Sequence, residues 1–509
     1  MIGIETEYGI QVEGKGAADL VDEAGHLVRC VTRPHVALWD YRDEHPRRDL
    51  RGFTVDHLSI DPVDARFEQD GRPHSTDREV RADRALANGA RLYNDHGHPE
   101  YSTPECTSVL DVLAADRAGE RILAELAAVR SADLGGKAVS LFKNNTDFHG
   151  ASYGTHESYL SRRDVPFERL LEGLLPFLAT RPIFAGAGKV GTERPGAPKI
   201  DFQISQRADF LTTLASVDTL HNRPLVNTRD EPHADPRHWR RVHVICGDAN
   251  LCDVAGFLKL GTTLAVLRLI EDGWNPDQWA LADPVVAQRT IAADPTLTAR
   301  VGLRDGSSAT AVEIQRAIAG AARTRLAGLS PETDQVLDEW EALLDRLAAD
   351  PLSCADSVDW VAKYTLLDAF RDAEGMRWDD PALQSLDLAY HDIDPDNGLW
   401  HGLDQEGAIR RLVPDAAVEN ALERAPQGSF RALVRGEAIR RFPDKIRNVT
   451  WSRLEMETGG GKPQVLRLSA LPITPDPVLR RSWETASTPD QYAAAVDKLC
   501  ASAGGTAPA

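Results

Sequence analysis

The chain has 509 residues, 42% hydrophobic and 27% charged, long enough for one large domain and a smaller one and too apolar for extensive disorder. Its formal net charge of −20 argues against nucleic acid as a general partner, because phosphate backbones need a basic face. Six scattered cysteines (Cys30, Cys106, Cys246, Cys252, Cys354, Cys500) without a CxxC pair read as reduced thiols of a cytoplasmic protein, and no apolar run reaches the roughly 18 residues of a membrane span.

Acidic residues follow Met1 too closely for a signal peptide. Residues 2–12 alternate as a strand. Residues 17–83 are mixed and charge-rich. Within them WDYRDEHPRRDLRGF (39–53) has aromatic ends and no clean period, and reads as part of a long functional loop at about 37–83. Strand character returns over 87–95. Leu110, Leu113, Ile122, Leu126 and Val129 fall near helical spacing and predict an amphipathic helix over 110–129. A short strand is expected at 139–144, a helix at 167–178 ending at Pro182, a strand at 241–246 and a buried helix at 254–270. Further helices fit 309–323 and 331–348. Beyond about 442 a separable segment carries a strand at 465–470, a helix at 489–500 and a flexible tail, ASAGGTAPA. No repeat is present in the sequence. Strands and helices mix without regular βαβ alternation, which points to an α+β fold.

Four clusters carry groups suited to chemistry. Glu5 and Glu7, two apart on a strand, share a face, and like charges that close need a cation or a proton between them. Alone, the pair is more often a solvent-facing strand edge. Arg91, Tyr93 and Asp95 alternate in the same way, and Glu100 follows after the turn His96-Gly97-His98-Pro99; a polar hairpin end is the plain alternative. His156 and Glu157 lie in SYGTHESYL. Arg241 and His243 share one face of the apolar strand in WRRVHVICGDAN, either lining a ligand or as satisfied core groups. Oxygen ligands suit Mg²⁺ bridging nucleotide phosphates, histidine also permits Mn²⁺, and arginines would neutralise phosphoryl charge. No Walker-type or GxGxxG motif is present, so a nucleotide site would have to come from these strands.

GIETEYG, NGARLY-x-D, HPEY-x-TPE and RVHVICGDAN resemble, in order and spacing, the Pup ligase and Pup deamidase/depupylase family of the glutamine synthetase-like carboxylate–amine superfamily. The resemblance implies a curved antiparallel sheet cradle backed by helices over residues 1–435 and a small C-terminal domain over 436–509. It implies ATP and Mg as cofactors, Pup and pupylated proteins as partners, and no membrane or nucleic acid. Glu5, Glu7, Tyr93, Glu100, His156 and His243 are then the expected metal ligands. Arg91, Thr103, Arg241 and Trp451 are the expected ATP contacts, and Asp95 is the expected catalytic residue, as nucleophile or general base. Arg207 and Arg229 are candidates for the incoming carboxylate, with solvated loop arginines as the alternative. The short HGHP turn and the 39–53 insertion resemble the branch that deamidates Pup and cleaves its isopeptide bond to lysine. The alternatives are a Pup–protein ligase and a catalytically silent Pup-binding adaptor.

Overall fold

A computed structural model describes residues 1–58, 81–471 and 474–503. Its organising element is the first strand, β1 (Ile2–Glu7), in which alternation sends Ile2, Ile4 and Thr6 into the interior and leaves Glu5 and Glu7 on the opposite face. Eight more strands complete the sheet: β2 (His35–Val36), β3 (Asp83–Leu86), β4 (Arg91–Asp95), β5 (His98–Ser102), β6 (Thr155–Arg162), β7 (Leu211–Ser216), β8 (Arg223–Asn227) and β9 (Trp239–Val244). Their spatial order is β7-β8-β9-β6-β1-β5-β4-β3-β2, antiparallel throughout except between β7 and β8. β1 thus lies at the centre, with β5 and β6 as neighbours.

One face of the sheet is apolar. Leu92, Tyr101, Tyr159, Val242 and Val244 join Ile2 and Ile4 against helices Val109–Asp133, Phe167–Thr180 and Asp253–Glu271. A second core draws on residues 425–499, including helices Phe430–Arg441 and Pro489–Ala503, and on Val36, Leu38, Trp39, Ala85 and Ala87 from the β2–β3 edge. The C-terminal segment is therefore packed onto one flank of the sheet.

Several elements differ from the expectations. The strand over 2–12 divides at fully buried Tyr8: Gly9–Val12 leaves the large sheet to pair with Val139–Phe142. Ala17–Arg29 is a helix, its start closed by Gly16 N–H donating to Asp19 at 3.0 Å. Its apolar stripe is interrupted by Glu23, which is buried because Arg130 neutralises it at 2.9 Å. Pro182 opens a short helix, Pro182–Ala185, instead of only closing one, as suits proline in a first turn. Helices Asp359–Glu374, Pro381–Tyr390 and Phe430–Arg441 were not foreseen, although Asp380 and Ser429 cap the last two. Of the expected tail, residues 504–509 lie outside the described residues, as do 59–80 of the expected loop.

Candidate active site

Residues paired across antiparallel strands share a face, and the register gathers the charged clusters on the face turned away from the helices. Glu7 opposes Glu100, Glu5 opposes His156, Tyr93 opposes Glu100, and His243 opposes Ser158. Five strands thereby contribute to a single polar patch. Glu157 is excluded from it by the same alternation; it faces the helices, where Arg181 binds it at 2.7 Å.

Two groups of ligand-type atoms form within the patch, each spanning no more than 4.8 Å. The first is Glu5, His156 and His243. Glu5 Oε2 lies 3.9 Å from His156 Nδ1 and 3.8 Å from His243 Nε2, and the two imidazoles meet edge-on at 5.2 Å. Burial disfavours ionised Glu5, but His156 and Arg241 outweigh it and bring its pKa down to about 2. Burial, with Arg241 and His156 nearby, holds His243 well below the usual imidazole range, so it is neutral. Both its ring nitrogens are buried without a hydrogen-bond partner. A neutral, unsatisfied imidazole beside a carboxylate and a second imidazole is a donor set that fits a divalent cation.

The second group is Glu7, Asp95 and Glu100. Gly154 N–H donates to Glu7, and Tyr93 OH donates to Glu100 Oε1 at 2.5 Å. Burial and the charges of Asp95, Glu5 and Glu7 push Glu100 well above the usual carboxylate range. Burial acts on Asp95 too, but the adjacent His96 prevails and keeps it below that range. Three carboxylates this close cannot all ionise unaided, and a cation among them removes the repulsion. Asp95 is the most open of the three, its side chain 35% exposed.

Beside the first group lies an open pocket lined among others by Glu5, Thr103, Glu105, His233, Arg241 and Trp451. Arg241 reaches Glu5 and Glu231, each at 3.5 Å. Arg91 lies next to this pocket under the ring of Trp39, which meets Trp451 at 5.0 Å.

The sequence model of the family described as "Pup-ligase protein" matches residues 1–455. The chain belongs to this family. It is 42% identical over 471 residues to "Depupylase" of Acidothermus cellulolyticus, covering 90% of this chain and 91% of the relative. It is 41% identical to "Pup deamidase/depupylase" of Mycolicibacterium smegmatis, over 90% of this chain and 92% of the relative. It is also 42% identical to "Pup--protein ligase" of Micrococcus luteus, over 73% of this chain and 82% of that relative. A crystal structure of Pup in complex with its ligase PafA superposes with a TM-score of 0.75 at 31% identity, covering all of this chain and 92% of that one. The Pup ligase PafA in complex with ADP gives 0.71 at 31% identity, over 90% and 97% of the two chains. The α+β, glutamine synthetase-like architecture expected from the motifs is the one found. No described helix is long and apolar enough to cross a membrane.

Within this family member, the expected ligands, Asp95, Arg91, Thr103, Arg241 and Trp451 all come to the patch or its flanking pocket. Arg207 does not present an open guanidinium. It is 1% exposed, and its terminal nitrogens donate to the carbonyls of Tyr153 at 2.6 Å and Ile245 at 2.9 Å. It braces the loop that ends at Gly154, the donor to Glu7. Arg229 is half-buried near Glu231 and Arg241, and donates to Val217 O and Thr219 Oγ1.

Sequence reasoning missed Glu231, His233 and the trio Glu105–Arg431–Arg435. These act through contacts between distant segments, which no local period reports. The 39–53 insertion is docked. Tyr41 OH accepts from Arg91 at 2.9 Å, Trp39 Nε1 donates to Glu44 at 3.1 Å, His45 N–H donates to Glu231 at 2.6 Å, and Leu50 N–H donates to Thr228 O at 2.8 Å. Trp39 anchors it at 3% exposure, whereas Phe53, expected as an anchor, is 46% exposed.

Proposed function

We propose that this chain is an ATP- and Mg-dependent amidohydrolase and isopeptidase. It hydrolyses the side-chain amide of a C-terminal glutamine of Pup, and the isopeptide bond between Pup and a protein lysine, in the cytoplasm. The observation that carries the reading is Asp95, an accessible carboxylate held in its ionised form at the rim of two cation-suited groups. Relatives with depupylase names align with 90% of the chain and the ligase relative with 73%, at nearly equal identity, which favours hydrolysis over ligation. Catalysis is assigned to residues 1–435, with 436–509 as a small C-terminal domain.

In this reading Glu5, Glu7, Tyr93, Glu100, His156 and His243 would hold magnesium. Arg91, Thr103, Arg241 and Trp451 hold ATP. Bound magnesium would supply positive charge at the patch, and the arginines would offset the negative charge of the nucleotide phosphates. Asp95 either attacks the amide carbonyl carbon or takes the proton of the attacking water. The C–N bond breaks, the nitrogen leaves as ammonia or as the lysine amine, and water supplies the oxygen of the new carboxylate. Positive charge held at the patch would stabilise the developing charge on the carbonyl oxygen, and losing such a group costs ~2.7–4 kcal/mol of barrier. Arg229 is the candidate to receive the terminal carboxylate of Pup.

The test is incubation of a purified pupylated protein with the enzyme, ATP and Mg²⁺. Release of the unmodified protein and of Pup ending in glutamate supports the reading. New Pup–lysine conjugates formed from free Pup ending in glutamate would support the ligase alternative, and no change in either substrate would leave only a binding role.

A further inference from the structure

β4 and β5 are joined through an unfavourable residue. Asp95 and His98 stand opposite each other, so His96 and Gly97 are a two-residue hairpin loop. Both have positive φ, 47° and 94°, as the twist of a tight hairpin requires. Gly97 meets this freely. His96 does not, because a non-glycine residue held there costs on the order of 1 kcal/mol, and asparagine or glycine is the usual choice.

The loop's own bond is made by other atoms: Asn94 Oδ1 accepts from Gly97 N–H at 3.1 Å, and Asn94 Nδ2 ties the strand to Val21 O at 3.2 Å. The imidazole of His96 instead lies against Asp95, with Nδ1 3.2 Å from Oδ1. Each of the two side chains is 35% exposed, so the pair sits at the open side of the patch, where a substrate amide would arrive.

We propose that His96 is a positioning residue for Asp95: the positive-φ loop holds its Nδ1–H on one carboxylate oxygen and leaves the other for the reaction. An aspartate has two soft dihedrals and two carboxylate neighbours, Glu7 and Glu100, crowded beside it, so a fixed donor is needed to keep one orientation. The Nδ1-protonated neutral ring and the imidazolium both donate from this nitrogen, so the role does not depend on the charge of the ring. The strain of the loop is then the cost of aiming the imidazole back at its neighbour.

The inference rests on Asp95 being the reacting carboxylate. Its test compares wild type, His96→Gly and His96→Asn in depupylation kcat and KM, MgATP affinity and melting temperature. Both replacements suit the positive φ, so the hairpin is kept. Asparagine restores a donor, because its Nδ2 is attached as Nδ1 is in histidine. His96→Gly is expected to lose about tenfold or more in kcat, in line with the ~10²-fold penalty of a 1 Å misplacement, with KM and MgATP affinity nearly unchanged. His96→Asn is expected to regain most of that loss. A His96→Gly enzyme as fast as wild type overturns the proposal, and so does a His96→Asn enzyme as slow as His96→Gly, which would point to proton transfer by the ring. An inactive wild type takes down the functional reading and this inference together; an active wild type isolates the role of His96.

Discussion

Replacing Glu105 with glutamine removes a negative charge from between two guanidinium groups that join the C-terminal segment to the pocket beside Glu5. Glu105 is bound by Arg431 Nη2 at 2.6 Å and Arg435 Nη2 at 2.5 Å, and the three side chains are 15%, 11% and 1% exposed. Burial opposes ionisation of Glu105, but Arg431 and Arg435 outweigh it and lower the pKa from 4.5 to about 2. At ~1.36 kcal/mol per pH unit, that gap corresponds to ~3 kcal/mol of stability at neutral pH. The figure meets the low end of the ~3–5 kcal/mol lost when one partner leaves a buried ion pair. Because the carboxyl pKa is lowered on folding, the contribution is whole above about 4.5 and is lost as the pH falls towards about 2. Glu105 also lines the pocket, and Arg435 stacks 4.8 Å from the Trp451 ring, so MgATP affinity should weaken in the same variant. Urea denaturation at neutral pH, paired with calorimetric titration of MgATP, measures both effects. A stability loss below about 1 kcal/mol, typical of exposed pairs, would refute the reasoning.

Glu5→Ala should weaken magnesium-dependent ATP binding by about tenfold or more, and an unchanged calorimetric affinity removes Glu5 from the ligand set. Deleting residues 41–50 frees Arg91 from Tyr41 and removes the charge of Glu44 from beside Arg91 and Arg241. MgATP should then bind several-fold (~2–10) more tightly, and equal or weaker binding contradicts a strap that competes for these arginines. Pup binding to a chain of charge −20 should depend mainly on an apolar groove and local arginines, so its affinity should fall less than about tenfold between low and physiological salt. A steeper fall by fluorescence anisotropy would show that charge dominates.

The patch was legible because strand alternation is a local property. Glu5 with Glu7, Arg91 with Tyr93 and Asp95, and Arg241 with His243 each declare a shared face at a spacing of two, and the order of the four motifs supplied the family. The helix Ala17–Arg29 was hidden because Glu23, a charged residue, takes a core position by pairing with Arg130, more than a hundred residues away. Arg207 looked like a receptor for a carboxylate for the opposite reason. Its sequence context is polar, and only the fold reveals that its guanidinium is spent on the backbone of Tyr153 and Ile245. Glu231 carried no signal, and Glu105, although it closes the HPEY-x-TPE motif, gave no sign of its role, since their partners lie in the insertion, on β9 and in a C-terminal helix.

The central claim is that this chain hydrolyses an amide of Pup through Asp95. Mass spectrometry of Pup ending in glutamine, incubated in ¹⁸O-labelled water with ATP, Mg²⁺ and either wild type or Asp95→Asn, tests it directly. The account predicts that wild type converts the terminal glutamine to glutamate with ¹⁸O in the new carboxylate. Asp95→Asn should still bind ATP but turn over at less than about a tenth of that rate. Pup left at its original mass by the wild type, or an Asp95→Asn variant that converts it as fast, would contradict the claim.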